Sequence, residues 1–88
     1  MVVMTDHFKK RFSQRVARTH RMQQYVDDAY CNGKTLSEVK CNRFAKVLWW
    51  KARENGSTAR VYANCVYWFR GDVAVTVYPI PQRLHKII

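Results

Sequence analysis

The stretch Asp72-Val-Ala-Val-Thr-Val-Tyr-Pro-Ile-Pro81, "DVAVTVYPIP", decides how this chain folds. It has the β-branched density of a buried strand, and it ends where Pro79 and Pro81 remove backbone donors. Alternate side chains of a strand point to opposite faces. Strict alternation therefore sets Val73, Val75 and Val77 on one face, and Ala74, Thr76 and Tyr78 on the other. Threonine and tyrosine are good strand residues in their own right. They are also suitable groups for the surface of a site, once the valines are given to the core.

Two similar runs precede this one, Thr58 to Ala63 and Cys65 to Arg70. Asn64 and Gly71-Asp72 separate the runs and suit tight turns, so an antiparallel meander is the economical arrangement. In the first run Arg60 and Tyr62 alternate with Val61 and Ala63, polar opposite apolar, as Thr76 and Tyr78 do in the last. The middle run sets Tyr67 and Phe69 against Trp68 and Arg70 and declares no inward side. A sheet face carrying aromatics and arginines suits single-stranded RNA, whose bases stack on rings while arginines hold phosphates. A second covered face or a dimer interface accounts for the same pattern.

Upstream the period changes to that of helices. Phe8, Phe12, Val16, Met22, Val26, Ala29 and Tyr30 recur near helical spacing, with Thr5 or Asp6 as cap and Asn32-Gly33 as stop. Arg18-Thr19-His20 is a candidate break. Thr35 and Glu38 have capping-box spacing, ahead of a helix expected from about Leu36 to Arg53 and firmest from Arg43 onward. Its stripe takes in Val39, Phe44, Val47, Leu48 and one of Trp49 or Trp50. The expected fold is α+β: two to three N-terminal helices on one face of a small antiparallel sheet of three or four strands, in a single domain over residues 1–88.

Sixteen Lys and Arg against six Asp and Glu give a net charge of +10, which makes a polyanion the natural partner. No apolar run approaches the roughly 18 to 20 residues of a membrane span, and "MVVMTDHFKK" lacks the order of a signal peptide. Cys31, Cys41 and Cys65 are odd in number and lack CxxC spacing. Reduced thiols in a cytoplasmic protein are expected, with no zinc site, no cofactor and no membrane partner.

Six cations fall between Lys9 and Arg21, and no acid occurs from His7 through Val26. On a helical wheel starting at His7, Arg11, Arg15 and Arg18 lie within about 80° of it, beside the stripe of Phe8, Phe12 and Val16. Such a ridge borders the junction of helix and sheet, where planar guanidinium forks can hold phosphate oxygens. A solvated basic face is the other reading of such a run. Lys10, Arg18, Arg21, Arg60 and Tyr62 are further candidates for nucleic-acid contact. No HExxH, GxSxG, paired-carboxylate or phosphate-loop motif is present.

The helix "HFKKRFSQR", the helix end "YCNGK" and the strands "ARVYANCVYWFRGDVAVTVYP" together resemble small proteins of the barnase, colicin and RelE-type ribonuclease superfamily. The likeness rests on a His-x3-Arg-x3-Arg helix and a final strand reading Thr-Val-Tyr; the middle helix matches poorly. It implies a metal-independent, toxin-type endoribonuclease with His7, Arg11, Arg15, Thr76 and Tyr78 as catalytic positions. His7 would be base or acid, Arg11 and Arg15 the phosphate clamp, and Thr76 or Tyr78 would orient a phosphate oxygen. RNA would be the partner, with a ribonucleoprotein or an acidic protein inhibitor as further candidates. Two non-catalytic classes use the same surface. One is a winged-helix DNA-binding protein reading with Lys40, Arg43 and Lys46; the other is a phage-type inhibitor that docks on a nucleoprotein complex.

Overall fold

The computed structural model describes residues 2–39 and 42–84, so Lys40, Cys41 and His85 lie outside the described residues. A two-residue strand β1 (Val3–Met4) is followed by helices α1 (Asp6–Arg15), α2 (Met22–Asn32) and α3 (Asn42–Asn55). Strands β2 (Thr58–Tyr62), β3 (Cys65–Arg70) and β4 (Val73–Pro79) complete the order. This is an α+β chain, helices before strands, with the last three strands as an antiparallel meander.

Local chemistry sets most element ends. Thr5 caps α1, its hydroxyl accepting the Phe8 N–H at 3.0 Å. The segment containing Arg18-Thr19-His20 separates α1 from α2. Gly33 follows α2 at a close approach: a Cβ there would collide with the Ala29 carbonyl of α2 itself and lie 3.0 Å from the Arg60 Cβ of β2. Beyond it, Lys34 and Val61 exchange main-chain hydrogen bonds at 2.8 and 2.9 Å, which covers the outer edge of β2. The helix expected from Leu36 is instead a short 3-10 turn, Leu36–Glu38, and then α3. In that turn the Thr35 N–H donates to the Glu38 carboxylate at 3.1 Å, which holds the carboxyl below its ordinary range.

The sheet order is β1-β4-β3-β2. Ala63 and Asn64 both have positive φ, 49° and 61°, and form the two-residue turn between β2 and β3. Gly71, with φ 60°, opens the turn into β4. β1 adds a fourth strand, parallel to β4 through Val3↔Val73 and Met4↔Ala74, so the sheet is mixed. The Val2 backbone is tied to α2, its N–H donating to Asp27 at 2.8 Å and its carbonyl accepting from Gln23 at 2.8 Å.

Two helices lie on one sheet face. Phe8 and Phe12 of α1, with Val26 and Ala29 of α2, bury against Tyr67, Phe69, Ala74 and Val77. The third helix covers the opposite face, where Leu48 packs with Ala59, Val61, Val66, Trp68 and Ile80. Hence the middle strand declared no inward side: Cys65 through Phe69 are all buried, alternately into one layer and the other. Cys65 is free, and burial pushes its thiol pKa up. Two parts of the expected α3 stripe are corrected. Val47 is exposed, and neither tryptophan is buried; Trp50 is 61% exposed. α3 is too amphipathic for both, and Leu48, helped by Phe44, Ala45 and Ala52, already fills the layer.

The alternation of β4 is also corrected. Trp68 pairs with Thr76 and Phe69 with Ala74, which leaves Val75 as an extra residue, a β-bulge. Ala74 and Val77 therefore share the α1/α2 face, while Val75 and Thr76 line a cavity beside Trp68 on the other. The three valines do not form one face.

Tyr67 is fully buried between Phe8, Tyr62 and Phe69, and its hydroxyl has no hydrogen-bond partner among the described residues. An unpaired buried hydroxyl costs about 1–3 kcal/mol. Tyr67→Phe should thus stabilise the protein by about 1 kcal/mol, raising Tm by roughly 4–8 °C. Tyr62→Phe, which loses the 3.3 Å hydrogen bond from the Tyr62 hydroxyl to Asp28, should bring no such gain. Thermal unfolding of both variants decides the matter, and an unchanged or lowered Tm for Tyr67→Phe would contradict the assignment.

Candidate nucleic-acid interface

The bulge sets the geometry of the site. β1 is too short to reach past Ala74, and side chains of α1 take the next carbonyls of β4 instead. The Thr5 hydroxyl donates to the Val75 carbonyl at 3.4 Å, and the Thr5 N–H donates to the Ala74 carbonyl at 3.2 Å. The residue that caps α1 is thereby fastened to the bulge. At the far end of α1, Arg15 donates to the Val77 carbonyl at 3.1 Å, and its guanidinium sits 4.4 Å from the centre of the Tyr78 ring. Lys51 of α3 reaches the same ring, its ammonium 6.0 Å from the centre.

These attachments surround a cavity of about 210 Å³ on the α3 side of the sheet. The sheet contributes Trp68, Arg70, Val75, Thr76 and Tyr78. Lys51 and Asn55 come from α3, Ser57 from the segment before β2, and His7 from the first turn of α1. The lining holds two permanent or near-permanent cations, an imidazole and several donors, and no carboxylate. Two of its polar atoms, the Trp68 indole nitrogen and the Thr76 hydroxyl, are buried without a partner among the described residues. These donors and cations are chemically complementary to an anion with several acceptor oxygens.

Of the five positions singled out as catalytic, His7, Thr76 and Tyr78 meet in this cavity, and Arg15 stacks on Tyr78 at its border. Arg11 does not line it; its guanidinium donates to Gln14 at 3.3 Å on the exposed side of α1. Lys10 is exposed on α1, and Arg18 and Arg21 are exposed in the connection to α2. The helical wheel cannot place Arg18, since α1 has already ended at Arg15. Arg60 and Tyr62 lie on the opposite sheet face from Thr76. Each alternates with Ala59 and Val61 of the α3 layer, and Tyr62 bonds Asp28 of α2. They belong to no site with Tyr78.

Lys51, Asn55, Ser57, Trp68 and Arg70 were not anticipated. Lys51 and Asn55 are one turn apart, on the flank of α3 beside Leu48 and Ala52, and that spacing was a usable signal. Among the described residues no three His, Cys, Asp or Glu side chains gather as metal ligands, and no helix is long and apolar enough to cross a membrane. Compared with protein-family models, curated proteins and solved structures, the chain matches none.

Thr5 joins cap and bulge through one hydroxyl. Thr5→Ala should cost about 1–2 kcal/mol, at the upper end for a lost cap because the Val75 bond goes with it. Thr5→Ser should restore most of that loss. Urea unfolding of the pair is the measurement, and equal stability of alanine and serine would rule out the tether.

Proposed function

We propose that this protein binds RNA at the Tyr78 cavity and cleaves it as a metal-independent endoribonuclease of toxin type, acting in the cytoplasm. One observation carries the proposal. His7, far in sequence from Thr76 and Tyr78, lines one acid-free cavity with them and with Lys51 and Arg70. The resemblance of the His-x3-Arg-x3-Arg helix and the Thr-Val-Tyr strand to the barnase, colicin and RelE-type ribonucleases supports the same assignment.

In the proposed reaction the 2′-oxygen of a ribose attacks the adjacent phosphorus, and the new O2′–P bond forms as the P–O5′ bond breaks. His7 accepts the 2′-hydroxyl proton, since an imidazole can act as base near neutral pH. The departing 5′-oxygen takes a proton from water. Charge that develops on the phosphorane oxygens is met by Lys51 and Arg70, with Arg15 near the ring of Tyr78. An exposed tyrosine between two cations also offers a stacking surface for a base. An acidic protein inhibitor would find the same cations.

A second reading, non-catalytic docking on a nucleoprotein complex, is favoured by the outer face of α3. Val47, Trp49 and Trp50 are exposed there among Arg43, Lys46 and Arg53. Arg53 stacks on Trp49 at 4.8 Å and Trp50 meets it edge-on.

Labelled RNA incubated with and without chelator separates the two. Cleavage should be indifferent to chelator and leave 2′,3′-cyclic phosphate ends. His7→Ala should lose most of the rate while RNA still binds, and Thr76→Val should slow cleavage without loss of stability, because its hydroxyl has no partner to lose. RNA left intact, or His7→Ala cutting as fast as wild type, sinks the nuclease and leaves the binder.

Binding itself has a salt signature. With about four phosphate contacts to a single strand, log K should fall against log salt with a slope of about −3. The pair Arg15→Ala and Lys51→Ala should flatten that slope. A slope that ignores salt or survives both changes would exclude phosphate contact at Tyr78.

A further inference from the structure

Trp68 is the feature of the cavity that RNA cleavage as described leaves unused. Its side chain is 5% exposed, its ring belongs to the α3 layer, and its indole N–H has no hydrogen-bond partner among the described residues. Thr76, its direct partner across the β3/β4 ladder, has a buried hydroxyl in the same condition. Directly opposed strand residues hold their Cβ atoms about 4.5–5.5 Å apart, so the two side chains leave the sheet side by side. Both residues line the cavity that also takes Lys51. The hydroxyls of Thr5 and Tyr62 find oxygen partners. The third unpartnered group, the Tyr67 hydroxyl, lies in the apolar layer under α1 and α2 and lines no part of this cavity.

An indole N–H donates only, and a hydroxyl can donate or accept. A lysine beside them adds a positive charge with three further donors. The complement is a group with several acceptor oxygens and negative charge. We propose that the Trp68 indole N–H and the Thr76 hydroxyl form a seat for a phosphoryl group, their hydrogens directed to its non-bridging oxygens, with Lys51 supplying the countercharge. The proposal rests on the assignment of this cavity to RNA. It adds that the phosphate enters as far as Trp68 and does not stay at the Tyr78 rim. Trp68 is then a binding and positioning residue, distinct from His7, which handles the proton.

The chain has three tryptophans, and Trp49 and Trp50 are exposed on α3, so the Trp68 indole is separable from them. The test follows the indole N–H resonances of the full chain by ¹H–¹⁵N spectroscopy, assigned with Trp49→Phe and Trp50→Phe. The probes are inorganic phosphate and a nucleoside 3′-monophosphate, with the bare nucleoside and sodium chloride of equal ionic strength as controls. The Trp68 signal should move progressively and saturably with both phosphates, but not with the nucleoside or the chloride. Thr76→Val should weaken the nucleotide at least about five-fold, as expected for a lost hydrogen bond to a charged group. Lys51→Ala should weaken it as well.

A Trp68 signal that stays still while the nucleotide binds overturns the seat, as does an absence of phosphate binding. RNA cleavage with an unmoved Trp68 signal would retain the nuclease and reject the seat. A moving Trp68 signal in a protein that leaves RNA intact would keep the seat and reject the nuclease.

Discussion

Two residues of β4, Val75 and Thr76, stand opposite the single residue Trp68 of β3, and the rest of the molecule is arranged around that mismatch. Without it the strand would alternate without interruption. Ala74 and Thr76 would then share a face, and the hydroxyl would enter the apolar layer under Phe8 and Phe12. With it, Ala74 and Val77 both serve that layer, and Val75, Thr76 and Tyr78 are turned to α3. The bulge also presents the Val75 carbonyl to Thr5, which fixes the start of α1 and so the position of His7. One inserted residue thus adjusts the core, frees a polar strip and ties the helix to it.

What was legible in the sequence was local. Thr5 as cap, the break around Arg18-Thr19-His20, the stop at Gly33 and the turns at Asn64 and Gly71 each depend on a few neighbouring residues. The α+β order follows from the switch of hydrophobic period between α3 and β2. What was hidden depends on pairing at a distance. A bulge is visible only when β4 is laid against β3. β1 has two residues and no identity apart from Val73 and Ala74. The same limit governs the site. His7, Thr76 and Tyr78 stood out by residue type, whereas Lys51, Asn55 and Ser57 enter because α3 crosses the face that the helices had been expected to leave bare. Arg60 and Tyr62 fall outside the site for a different reason: they lie on the opposite sheet face, where Tyr62 meets α2.

The charge arrangement follows from the same layering. Arg15 arrives at Tyr78 from α1 and Lys51 from α3, so two cations from different layers converge on one ring. The ring's negative face attracts each of them, and they repel one another. With +10 over the chain, that repulsion is not offset globally. An anion placed between them would relieve it. The phosphate binding proposed for this corner would therefore draw on the electrostatics of the free protein as well as on hydrogen bonding.

The parallel pairing of Val3 with Val73 spans nearly the whole described chain, as do the bonds from Thr5 to Val75 and from Arg15 to Val77. Closing so wide a loop is entropically costly, and topologies rich in such contacts fold slowly. On a ribosome the consequence is one of timing. The first helix leaves the exit tunnel long before the strand it must lie against has been translated. His7 and Arg15 wait in solution while α2, α3 and the first hairpin accumulate. The cavity comes into being with the last strand, and a nascent chain that stops short of β4 carries every cation of the first helix but no pocket for them to border.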